Sequence, residues 1–109
     1  MQDLFLELKE KMNKLDSALS AFGKRGKERA EAERAYRMAL AEAMLKERVN
    51  GTPVSILSDI CKGKEEVAEL KLKRDVAETV YDSAKEACNI FKLEVRVIEE
   101  AIEREWHSQ

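Results

Sequence analysis

Few side chains in this sequence have the chemistry of a catalyst or a metal ligand. The single histidine, His107, stands one helical turn after Glu103, so the two share a helix face and offer donor types that suit a metal. That spacing is common by chance, and a fraying helix end holds a ligand badly. The Glu-x-x-His signature of helical di-metal sites is absent, because Arg104 stands three residues before His107. Of the two cysteines, Cys88 falls on the core seam among apolar neighbours, where a thiol is inert, and no histidine is near enough in sequence to serve as its base. Gly23 and Gly26 do not have the spacing of a phosphate-binding loop. The reading is a protein that is not an enzyme, with no catalytic residues, no cofactor and no metal.

The most functional-looking patch is the basic run Lys24, Arg25, Lys27, Arg29, Arg34 and Arg37. It is interleaved with Glu28, Glu31 and Glu33 and lacks an adjacent exposed aromatic on which a base would stack. Such a run usually forms a solvated helix face; its functional reading is contact with a partner or with nucleic acid. Glu94, Glu99, Glu100, Glu103 and Glu105 make an acidic counterpart toward the other end. A surface polarised in this way can orient a protein partner. The net charge of −2 gives no global attraction to nucleic acid or to a membrane.

The elements that must carry these residues are helices. From Glu65 to Trp106 the positions Val67, Leu70, Arg74, Ala77, Tyr81, Ala84, Cys88, Phe91, Val95, Ile98 and Ile102 alternate in steps of three and four, all but Arg74 apolar or aromatic. That is the seam of a coiled coil, returning to one side about every 3.5 residues. A second helix is expected over about 3–48, with Asp3 as its N-cap and Phe5, Leu8, Met12, Leu15, Leu19 and Phe22 on its seam. The same alternation puts Gly26, Arg29 and Glu33 on the seam, and the helix is read as continuous there, with a break at Gly23 to Gly26 as the alternative. Ala30, Ala32, Ala35, Tyr36, Ala39, Leu40, Ala43 and Met44 resume the apolar face. Asn50 and Gly51 are expected to end the helix in the left-handed conformation, and Thr52 to cap a short helix over about 53–62 that opens with Pro53. Its Val54, Ile56, Leu57 and Ile60 are too apolar for a free loop.

Folding the helix over about 65–106 antiparallel on the first brings Phe5 toward Trp106, Phe22 toward Cys88 and Phe91, and Arg29 and Glu33 toward Arg74 and Glu78. Opposite charges at the last position would fix the register. A second stripe on the last helix, Val80, Ala87, Ile90, Leu93, Val97 and Ala101, finds no cover in a two-helix hairpin. The expected architecture is therefore an all-α helical hairpin, one domain over 1–109, that dimerises through this stripe into a four-helix bundle, with a monomer whose short helix folds back over part of the stripe as the alternative. Composition agrees: 39% charged residues with one Pro and four Gly suit long helices, and 44% hydrophobic residues at helical spacing argue against disorder. Cys61 and Cys88 lie too far apart along such helices to pair, and are read as reduced thiols of a cytoplasmic protein. No signal peptide and no membrane span is read in the sequence.

Three stretches, Asn50-Gly51-Thr52-Pro53-Val54-Ser55, Lys71 to Tyr81 and Glu103-Arg104-Glu105-Trp106, resemble small helical proteins of unassigned role encoded by tailed phages and prophages of Gram-positive bacteria. The resemblance implies an accessory protein in the host cell cytoplasm that assists recombination or replication, or binds and blocks a host defence component. It transfers no site residue. The expected function is contact with a protein partner and with a second copy of the chain, with nucleic-acid binding through Lys24 to Arg37 as the alternative.

Overall fold

The structure, a computed structural model, describes residues 1–108 and is all-α: α1 (Gln2–Val49), α2 (Val54–Lys62) and α3 (Glu65–His107). α1 runs unbroken through Gly23 and Gly26. A helix of this length absorbs about 1 kcal/mol for each glycine. Asp3 is not the cap expected of it. The helix already starts at Gln2, so Asp3 sits inside the first turn, where its charge faces the positive end of the helix dipole.

The turn follows the sequence more closely than the caps do. Gly51, at φ 89°, is the left-handed residue, and Asn50 is not. The amide of Thr52 donates to the Glu47 carbonyl at 3.0 Å and that of Gly51 to the Arg48 carbonyl at 3.1 Å, a Schellman closure of α1. Thr52 does not cap α2. Its hydroxyl donates to Glu47 Oε2 at 2.6 Å, while Pro53 takes the cap position without a side-chain hydrogen bond and the helix begins at Val54, one residue later than expected. Glu47 also holds the ammonium of Lys64, the residue before α3. Those two bonds keep the Glu47 carboxyl below its usual pKa, Lys64 contributing most and Thr52 next. Gly63 ends α2 in ordinary right-handed geometry, its amide shared between the Asp59 and Ile60 carbonyls.

The chain forms two compact units. The turn unit spans Gly26–Val80 and holds a core of Tyr36, Ala43, Leu57, Cys61 and Val67, with Leu40, Met44 and Leu70 packed against it. α2 contributes Leu57 and Cys61, one turn apart, and leaves Ile56, Ile60 and Val54 outside. α2 is thus anchored through Leu57 and Cys61. Antiparallel pairing is fixed by charges, as expected: Arg29 Nη2 lies 3.6 Å from Glu78, and Arg74 Nε lies 3.6 Å from Glu33. Arg74, the one charged seam residue of α3, also sits 4.5 Å over the Tyr36 ring and bonds Asp75 at 3.0 Å. Such pairing offsets the cost of placing a guanidinium on the seam.

The terminal unit joins Met1–Arg25 of α1 to the part of α3 from Tyr81 on. Its levels are set by Met1 N with Glu105 Oε1 at 3.0 Å, Lys11 Nζ with Glu94 Oε2 at 3.0 Å, and the Phe22 ring stacked on Tyr81 at 4.8 Å. Phe22 therefore meets Tyr81 rather than Cys88 and Phe91. The two ion pairs fix that level about two turns away from the one drawn from apolar matching alone. Only Cys88 and Ile98 are fully buried in this unit among the described residues.

Candidate interaction surface

The seam of α3 is as expected, every one of its eleven positions being buried or half-buried. On α1 in the terminal unit, half of the expected seam is displaced. Leu8, Leu15 and Phe22 face α3, but Phe5, Met12 and Leu19 are 51%, 50% and 41% exposed, and Leu4, Lys11 and Ala18 take their places. The reason is local. Lys11 has to reach Glu94, and Ala18 is small enough to share a groove with the bulky Phe91. Both rows contain Leu8, Leu15 and Phe22, so spacing alone did not separate them; the acid opposite Lys11 was the available signal.

Once the seam is fixed, each helix of the terminal unit has a row one residue before its seam positions, and antiparallel pairing puts these two rows on the same side. On α3 the row is Ser83, Ala87, Ile90, Glu94, Val97 and Ala101; on α1 it is Asp3, Glu7, Glu10, Lys14, Ser17 and Ala21. Ile90 is 48% and Val97 53% exposed, and Leu93 beside them 57%. Ala87 and Ala101 are half-buried. Within the turn unit, Val80 is 40% exposed, and Val76 and Leu72 of the same helix are exposed as well. The second apolar stripe expected of α3 therefore lies open. A groove of about 510 Å³ lined by Glu10, Lys14, Ser17, Ala18 and Phe91 opens on the same side. The far side of the unit carries Phe5, Met12 and Leu19, so both of its sides show apolar surface.

The basic run is broken up by the fold. Arg37 Nε bonds Glu33 at 2.7 Å and Arg29 pairs with Glu78, while Arg25 is half-buried. Lys24, Lys27 and Arg34 are exposed. Arg29, Arg37 and Arg74 do line one cleft of about 530 Å³ beside Gly26, but Glu33 and Glu78 line it too and already hold those guanidiniums. It is an ion network that sets register. His107 Nε2 lies 3.8 Å from Glu103 with both side chains exposed, and no group of three or more potential metal ligands occurs among the described residues. Cys61 and Cys88 are free and buried. No helix among the described residues is long and apolar enough to cross a membrane.

No family model, no curated protein and no solved structure matches the chain.

Proposed function

We propose that this is a non-enzymatic interaction protein, a helical module that self-associates and acts by contact, with the outer row of α3 as its contact surface. One observation carries the reading. Among its described residues the terminal unit leaves Ile90, Leu93 and Val97 about half exposed while fully burying only Cys88 and Ile98. Apolar side chains of this size gain about 1.5 to 3 kcal/mol each between full exposure and complete burial, so covering the exposed halves of these three would add roughly 2 to 5 kcal/mol for each copy. The accessory role implied by the resemblance to small phage proteins belongs to the same proposal. Nucleic-acid contact is not favoured, because Arg29 and Arg37 are tied to glutamates within their own unit.

Light scattering at tens of micromolar tests the proposal. The wild type is expected at twice the chain mass of 12.5 kDa, and Ile90→Glu with Val97→Glu at 12.5 kDa with its helical circular dichroism retained. A monomeric wild type overturns the reading.

A further inference from the structure

Any two-fold interface has to be self-complementary, the same patch serving both copies. From Ala87 to Ala101 the row of α3 one residue before its seam has that property. Ala87, Ile90, Glu94, Val97 and Ala101 read as small, large, charged, large, small from either end, with Glu94 at the centre. The α1 row on the same side has it in charge. Turned end for end about residue 12, Glu10 meets Lys14, Glu7 meets Ser17, and Asp3 meets Ala21, with no like charges opposed. Two independent rows thus point to centres at residues 12 and 94. The Lys11–Glu94 ion pair places those two centres at one level of the unit.

From this coincidence, and resting on the reading of α3 as the contact surface, we infer that the terminal unit pairs antiparallel and face to face with a second copy of itself, about a two-fold axis beside Lys11 and Glu94. Two Glu94 carboxylates approach at the axis. Each arrives with its own Lys11, which is the sole ion partner of Glu94 Oε2 among the described residues, so the four charges sum to zero. Ile90 of one copy then packs on Val97 of the other, and the small Ala87 and Ala101 let the outer turns of the two α3 helices come close. A patch from Asp3 to Ala21, about 28 Å long and about 20 Å wide across two helices, covers roughly 600 Å² on each copy, or roughly 1,200 Å² in total. That is the lower end of the range for stable specific interfaces. Phe5, Met12 and Leu19 stay on the outer side of such a dimer.

Cysteine cross-linking separates this arrangement from others. Residues 87 and 101 lie about 21 Å apart along one helix, too far to bridge within a chain. The antiparallel pairing sets residue 87 of each copy against residue 101 of the other. Ala87→Cys with Ala101→Cys in one chain should therefore oxidise to a covalent dimer, and so should a mixture of the two single variants. Either single variant alone should not exceed the parent chain, whose Cys61 and Cys88 are buried. If light scattering shows a dimer but a single variant cross-links with itself, or the double variant does not cross-link, this geometry is wrong and self-association stands. If light scattering shows a monomer and the double variant fails to cross-link, both fall.

Discussion

Truncating Leu57 to alanine tests whether α2 is part of the fold. Leu57 is 5% exposed and belongs to one cluster with Tyr36, Ala43, Cys61 and Val67, whereas its neighbour Ile56 is 46% exposed. Leu57→Ala removes three carbons, and at about 0.8 kcal/mol for each buried methylene the transfer loss alone is about 2.4 kcal/mol. The void left behind adds to this, and α2 is short enough to sink partly into it, so a total of about 3 kcal/mol is expected, within the 2 to 5 kcal/mol of core truncations. Ile56→Ala loses the same number of carbons from a half-solvated site and leaves no enclosed void, so about 1 kcal/mol is expected. Urea titrations followed by far-ultraviolet circular dichroism compare the two directly. Equal midpoint shifts would refute the burial argument and leave α2 as a surface appendage.

Other perturbations probe the remaining elements. Ile98→Asp, at a site 6% exposed, should lower stability by about 3 to 5 kcal/mol, while the exposed neighbouring change Glu99→Ala should stay within about 0.5 kcal/mol; matching melting temperatures would show the α3 seam to be misassigned. Gly51→Ala should cost about 1 to 2 kcal/mol by thermal melting, since φ is 89° there even though nothing lies within 4 Å of an added Cβ; an unaltered melt would mean that the turn relaxes. Glu47 has a folded pKa below its ordinary value near 4.5, so its contribution is complete above that value and fades as pH falls through the folded one. The melting-temperature gap between wild type and Glu47→Gln should accordingly be present at neutral pH and close in acid, and a gap independent of pH would remove the carboxylate from the account.

How much of this was legible beforehand follows from where the pattern had one solution. On α3 one three-four alternation runs the whole length of the helix, and its eleven positions from Val67 to Ile102 are all buried or half-buried. On α1 two alternations share Leu8, Leu15 and Phe22, and choosing the more apolar one put Phe5, Met12 and Leu19 inside when the structure puts Lys11 there for the sake of Glu94. Arg29, Glu33, Arg74 and Glu78 were readable as a register lock because opposite charges on a seam have few alternatives. Thr52 was misread because its local signature, a hydroxyl ahead of Pro53, is that of a cap; the competing acceptor, Glu47, is brought close only by the Schellman closure. The candidate surface on α3 was visible as surplus apolar residues, yet its self-complementarity appears only once the level of Lys11 with Glu94 is known.

Melting the wild-type protein over a hundredfold range of concentration tests self-association most directly. Mass action makes a dimer's melting temperature depend on concentration, whereas a monomer's does not. A hundredfold increase contributes about 2.7 kcal/mol for each dimer, and with an unfolding entropy of about 2.1 cal/mol/K for each residue the midpoint should rise by roughly 6 °C. A midpoint that stays constant across the range would contradict the claim that the open face of α3 is covered by a second copy.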